Sequence, residues 1–243
     1  MLELKGVTKK FKNTTVVDNI SFKVNKGEIV GLLGENGAGK TTTLRMISTM
    51  LKITEGEINV NNFEVTKEPA KVRGEIGILF GGDVGLYERL SGRENIKYFA
   101  NLYGMTDDEA NKRIDSLASE FGMIEYINQK VGKYSRGMKQ KISIARSIVH
   151  NPSVMLFDEP STGLDVSATR IVQKFIKKCQ SENKTILFSS HSMLEVERLC
   201  DRVIIIHKGK LMENSTISEL KEKYNNQDLE DVFVSLIGGD IDE

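Results

Sequence analysis

The first thing this sequence lacks is a surplus of either charge. Its 34 Lys plus Arg balance 34 Asp plus Glu, so the formal net charge is zero. Proteins whose main ligand is nucleic acid usually carry a basic excess, so the balance argues against that class, though it leaves room for a local basic patch. Cysteine is scarce as well. Cys179 and Cys200 stand far apart and in no metal-binding spacing, which implies reduced thiols in a cytosolic protein and excludes a disulfide framework. No apolar run approaches the ~20 residues of a membrane-spanning helix; the longest, such as "VIII" from Val203, are strand-sized. The opening "MLELKGVTKKFK" has no apolar stretch of the signal-peptide kind. Internal repeats, low-complexity tracts and sustained heptads are absent too. The expectation is a chain that does not cross a membrane itself but can dock on something that does.

What is present is ordinary globular material. The 243 residues, 28% charged and 39% hydrophobic, suffice for one or two domains with a sizeable core. Five short apolar runs bounded by turn residues predict buried parallel strands: "IVGLL" from Ile29, "IGILF" from Ile76, "VMLF" from Val154, "TILFSS" from Thr185 and "RVIII" from Arg202. Helical patterns separate some of them, so an α/β core is expected. The earlier "LELKGV", "SFKV" and "GEINVNNFEV" alternate more and predict half-exposed antiparallel strands.

From about residue 91 to 150 the pattern is helical and charged, with no convincing strand, and predicts a helical subdomain inserted into the α/β core. Within it Thr106 and Glu109 form a capping box with acids in the first turn. Ile114, Leu117, Ala118 and Phe121 then share one face, and Gly122 can end the helix. One domain is thus expected over residues 1–212. From Glu213 onward nine Asp or Glu stand against two Lys, an acidic tail expected as a packed appendage, the bland alternative being a solvated one.

The densest chemistry opens at Gly34, "GENGAGKTTT". Gly34-x-x-x-x-Gly39-Lys40-Thr41 fits the P-loop pattern, with apolar "EIVGLL" before it and "TTTLRMISTML" after it in the required strand–loop–helix order. Glycines let backbone N–H groups turn inward around phosphate oxygens, and the helix N-terminus adds its positive end. The loop residues Gly34, Asn36, Gly37, Ala38, Gly39, Lys40, Thr41 and Thr42 are therefore the expected phosphate cradle, with Lys40 reaching the β and γ phosphates and Thr41 ligating Mg²⁺. The pattern arises by chance in roughly 1% of chains this long at average residue frequencies, and the flanks lower that further. In "SVMLFDEP" an apolar strand ends in Asp158, a candidate Mg²⁺ ligand through water, followed by Glu159, a candidate general base. Pro160 cannot donate to a sheet ladder, so the strand stops there.

At "YSRGMKQKISIARSIVHNPSVMLFDEPSTGLD" the chain resembles the ATP-binding cassette family: signature loop, helix, Walker B strand and D-loop. The resemblance runs from the first strands to about residue 212. It is closest in type to nucleotide-binding subunits of exporters with a separate membrane subunit, such as the sodium-extrusion and drug-export cassettes, whose tails "DLEDVFVSLIGG" also resembles. It implies that Ser135 and Gly137 touch the γ-phosphate held by a partner chain, that Asp165 links the two sites across the dimer, that His191 hydrogen-bonds the γ-phosphate and that Phe11 stacks on adenine. Arg136 and Met138 replace a family glycine and glutamine. The family's glutamine after the "IGILF" strand is missing from "GGDVGLY": Gly81 or Gly82 occupies its place, and Asp83 is either an oxygen ligand or part of a solvated turn.

The activity implied is ATP hydrolysis by Glu159 and His191, with ATP and Mg²⁺ bound between two head-to-tail copies or two similar cassettes. The pair would drive transport, in the export direction, through an integral-membrane permease on the cytoplasmic face of the cell membrane, with "GLYERLSGRENIKYF" as the contact and no nucleic acid as partner. The alternative is a soluble cassette ATPase acting on ribosome or DNA. Repair and chromosome cassettes carry long coiled coils, and ribosomal ones two cassettes, whereas this chain has no sustained heptads, one P-loop and one signature.

Overall fold

Strands with no polar face must be covered on both sides, and that requirement organises this fold. The computed structural model describes residues 1–80, 85–225 and 228–238. In chain order the elements begin with β1 (Leu2–Phe11), β2 (Thr14–Val24), β3 (Ile29–Leu33), α1 (Lys40–Ile47), β4 (Glu55–Val60), β5 (Phe63–Glu64), α2 (Pro69–Glu75) and β6 (Ile76–Phe80). There follow α3 (Gly92–Leu102), α4 (Asp107–Glu120), a 3₁₀ turn (Val131–Lys133), α5 (Arg136–Ile148), β7 (Val154–Asp158), α6 (Val166–Ser181) and β8 (Thr185–Ser189). The chain continues through α7 (Met193–Leu199), β9 (Arg202–His207), β10 (Lys210–Thr216), α8 (Ile217–Lys223) and α9 (Leu229–Ile237).

β3, β7 and β8 are buried at every position. They lie inside a six-stranded sheet of order β10-β9-β3-β8-β7-β6, in which only the edge strand β10 runs antiparallel to its neighbour. The period of two divides each strand between two cores. Val30 and Leu32 of β3 and Val154 and Leu156 of β7 face a core shared with α1, β1, β2 and β4. Ile29, Leu33, Met155 and Phe157 face the opposite core, shared with α5, α6 and α7. Phe157 and Phe188 are among the largest fully buried side chains, each contributing about 1.5–3 kcal/mol by burial. The alternating N-terminal segments form a four-stranded antiparallel sheet, β2-β1-β4-β5.

The helical segment holds α3, α4 and α5. α4 starts on the Thr106–Glu109 capping box, a cap worth about 0.5–2 kcal/mol, and Gly122 beyond its end takes φ +60°. Ile114, Leu117 and Ala118 are buried, with Phe121 packed partly buried against them. This segment has no core of its own: its buried residues join the sheet-face core without a break. α5 runs from the helical layer to the sheet, where His150 just past its end bonds the Ile76 carbonyl of β6 at 3.1 Å.

The boundary expected at 212 falls inside β10, which pairs with β9 from Lys210 to Thr216. A sheet strand, not a linker, therefore joins the tail to the body. α8 and α9 place Leu220, Leu229, Val232 and Phe233 in the main core, and Lys221 pairs with Glu197 of α7 at 2.6 Å. Both cysteines are free and buried. Burial pushes the Cys179 thiol up to about 12, which leaves it protonated and unreactive at neutral pH.

Candidate functional site

The loop between β3 and α1 can wrap a phosphate because side chains are missing where space is missing. A Cβ on Gly34 would lie 2.3 Å from the Ile206 carbonyl oxygen and 2.9 Å from the Ala38 Cβ. Gly39, the N-cap of α1, takes φ +110°, a region that side chains disfavour. No side chain caps α1 and no acid sits in its first turn, so its N-terminal amides and dipole are left for an anion. Lys40 is only 5% exposed. Its Nζ donates to the Gly34 carbonyl at 2.7 Å and the Glu35 carbonyl at 3.0 Å. Burial lowers its pKa, while Glu159, Asp158 and Glu35 act in the opposite direction.

β7 and β8 bring the acids to the same place. They run parallel with Asp158 opposite Ser189. The Ser189 hydroxyl donates to Asp158 Oδ1 at 2.8 Å. The Glu159 N–H points back at both the Ser189 carbonyl and Oγ, each at 3.1 Å. These bonds hold Glu159 at φ +51°, a conformation that costs a non-glycine residue about 1–3 kcal/mol. The turn aims the Glu159 carboxylate away from the strand. Its Oε1 contacts His191 Nε2, and Oε2 accepts from Thr162 Oγ1 at 3.4 Å. The His191 side chain is 42% exposed, so part of the ring is open to solvent.

A cleft of about 150 Å³ lies between the loop and Glu159. Asn36, Gly37, Gly39, Lys40, Thr41 and Thr42 line it from the loop, with Glu159 and Val16. Gly34 and Ala38, in the same loop, are buried. The volume is below the roughly 300–1,000 Å³ of a complete small-molecule site. A larger cavity of about 830 Å³, between α4, α6 and the end of α5, contains none of these residues. Thr41 and Asp158 offer a hydroxyl and one carboxylate. Among the described residues no cluster of three His, Cys, Asp or Glu could hold a metal alone. An oxygen-only, incomplete donor set of this kind fits Mg²⁺, which keeps several waters and takes the rest of its ligands from phosphates.

The remaining expected residues lie outside the cleft. Phe11, at the end of β1, is 45% exposed and lies opposite Thr14, with Lys9 Nζ 4.8 Å above its ring. Its exposure is contrary to what a core phenylalanine would show. Ser135 caps α5, its Oγ accepting from the Met138 N–H at 3.3 Å. Gly137 faces Ala168 of α6, and Asp165 caps that helix through the Ala168 N–H at 2.8 Å. Arg136 donates to the Thr162 carbonyl at 3.3 Å. The structure thus separates two groups: the loop with Asp158, Glu159 and His191, and an exposed group at the starts of α5 and α6. Gly81, Gly82 and Asp83 lie outside the described residues. Sequence reasoning missed Ser189 and Val16. Ser189 stood in the "TILFSS" run, with nothing in the sequence to place it beside Asp158.

Three comparisons bear on this geometry. A family model described as ABC transporter matches residues 17–162. The chain is 46% identical over 239 residues to the ABC transporter ATP-binding protein NatA of Bacillus subtilis (strain 168), covering 97% of each. It is 34% identical over 238 residues to the doxorubicin resistance ATP-binding protein DrrA of Mycobacterium tuberculosis, covering 97% of this chain and 70% of that one. A solved ATP binding subunit of an ABC transporter superposes with a TM-score of 0.87 at 28% identity, covering 97% of this chain and 99% of that one. The cassette MJ0796, solved as a dimer in a post-hydrolysis state with ADP and Pi, superposes with a TM-score of 0.79 at 27% identity, covering 89% and 99%.

Proposed function

Since this chain belongs to the ABC transporter family as one of its ATP-binding subunits, we propose how its residues divide the work of that family. The chain binds and hydrolyses ATP, and hydrolysis is coupled to transport through a membrane permease. The P-loop residues Gly34 to Thr42 hold the phosphates, and Lys40 exchanges its bonds to the Gly34 and Glu35 carbonyls for bonds to phosphate oxygens. Phe11 stacks on the base. Thr41 and Asp158 hold Mg²⁺, which when bound neutralises charge on the β and γ phosphates. In the free chain His191 contacts Glu159. With ATP in place it donates to a γ-phosphate oxygen, and Glu159 takes the proton of the attacking water.

The site is half of a composite one. A second copy, or a similar cassette, packs head to tail so that its Ser135 and Gly137 close over the γ-phosphate and its Asp165 links the two sites. The exposed Ser135 group and the small cleft support this pairing, as does a dimeric cassette of the same fold holding ADP and Pi. Among the described residues no helix is long and apolar enough to cross a membrane, and the place of action is the cytoplasmic face, against the permease. The contact is the segment from Gly85 to Phe99, where Tyr87 and Tyr98 stand exposed in an edge-to-face pair at 5.4 Å. A relative named for doxorubicin resistance supports export as the direction. The helical subdomain, about residues 91–150, carries the movement to the permease.

The observation that carries the reading is that Glu159, in contact with His191, lines the same cleft as Lys40. The test is Glu159→Gln. It keeps the shape of the side chain and removes the base, so ATP binding persists and steady-state turnover is lost. Retained turnover would contradict the assignment of the base.

A further inference from the structure

Glu195 is a carboxylate with no role in the chemistry above, yet it sits between the two residues that carry it. It lies in the first turn of α7 and is only 7% exposed. Its Oε1 accepts from Ser161 Oγ at 2.6 Å and from Gln173 Nε2 at 3.3 Å. Its Oε2 accepts from Ser190 Oγ at 2.9 Å. Ser161 is two residues past Glu159, and Ser190 is one residue before His191. One buried group therefore joins the turn that follows Glu159, the loop that carries His191, and α6.

The donors are two hydroxyls and one amide. A carboxylate only accepts, so it forces both hydroxyls to donate toward it. Ser190 Oγ then keeps a lone pair for the Ser192 N–H at 3.1 Å, and Ser192 Oγ accepts the Glu195 N–H at 3.3 Å. The loop from Ser190 to Glu195 closes on itself. On the other side the Glu159 N–H is pinned to Ser189. His191, with its exposed ring, is placed by the backbone of this loop.

We propose that Glu195 is a positioning residue for ATP hydrolysis: by tying Ser161 to Ser190 it sets the Glu159 carboxylate against the His191 imidazole. The inference rests on the roles proposed for Glu159 and His191. Glu195→Gln preserves volume but turns an NH₂ toward one of the hydroxyls, so that hydroxyl must rotate and the loop shifts. A displacement of this kind in a catalytic constellation can cost on the order of 10²-fold in rate.

The experiment uses the full chain and follows steady-state ATPase, ATP affinity and histidine NMR. The protein has three histidines, so single His→Gln variants assign the imidazole signals. Glu195→Gln is expected to lower kcat about 10- to 100-fold, to leave the Kd for ATP within about twofold, and to move the His191 signals while His150 and His207 stay in place. Added to Glu159→Gln, it should cause no further loss. An unchanged kcat, or His191 signals that do not move, would overturn the inference. If Glu195→Gln fails to fold, Ser161→Ala and Ser190→Ala carry the same expectation, and full activity in both would overturn it. If Glu159→Gln itself retains turnover, the failure lies instead in the reading of the base.

Discussion

Lys40 offers the most direct perturbation of the phosphate cradle. In the free chain its ammonium donates to the Gly34 and Glu35 carbonyls at 2.7 and 3.0 Å. Binding a triphosphate exchanges these neutral acceptors for charged ones. A hydrogen bond to a charged group contributes about 1.5–3 kcal/mol, and only the net of the exchange counts, so the gain of about one such bond is a fair measure. At 1.4 kcal/mol per decade, Lys40→Ala should weaken ATP binding about 10- to 150-fold. Asp158, Glu159 and Glu35 reach the same ammonium; without it they repel the phosphates, which places the loss toward the upper end. The assay is calorimetric titration of ATP with Mg²⁺ present, with thermal unfolding as the control for integrity. A folded variant that binds ATP within twofold of the natural chain would refute the argument. The wild-type pH dependence follows from the same group. Burial lowers the Lys40 pKa, so raising the pH through that value removes the charge, and affinity falls on the alkaline side earlier than an exposed lysine would allow.

Two further predictions concern other parts of the molecule. Phe11→Ala should weaken ATP binding by about 1–3 kcal/mol, the range for one base on an aromatic ring, and leave inorganic triphosphate binding unchanged; equal loss for both ligands would count against stacking. His150 is stacked on Tyr103 with ring centroids at 3.6 Å, and burial pushes its pKa down from 6.5 to about 4. Its folded pKa is the lower one, so the stability it contributes is complete above 6.5 and is lost as the pH falls toward 4. Urea unfolding at pH 7 and pH 5 should therefore differ by about 2 kcal/mol from this residue, and His150→Gln should remove that part of the slope.

Much of this architecture could be read from the chain, for physical reasons. β3, β7 and β8 are buried on both faces, so they stand out as unbroken apolar runs. α4 carries its start signal in Thr106 and Glu109 and its stop signal in Gly122. Glu159 and His191 are distant in sequence yet meet because β7 and β8 are neighbours in register. Family resemblance paired these two residues; periodicity could not have done so. Ser189 and Glu195 were not legible, because serine and glutamate are ordinary surface residues until a fold buries them beside particular partners. That the boundary expected at 212 falls within β10 has a related reason. β10 shows a half-exposed pattern, which resembles the tail more than the strand beside it. The seamless core joining the helical segment to the sheet is likewise a property of packing, invisible to local pattern.

The central claim is that each phosphate cradle is completed by the α5 start of another chain. The measurement is ATPase activity in an equimolar mixture of Lys40→Ala and Ser135→Arg subunits, at an ATP concentration below the weakened Kd of Lys40→Ala, where each is expected to be inactive alone. In a mixed pair one site combines two damaged halves and the other two intact ones, so random pairing into twofold dimers predicts about a quarter of the natural activity. Full activity of either variant by itself, or a mixture as inactive as its components although mixed pairs form, would contradict the account.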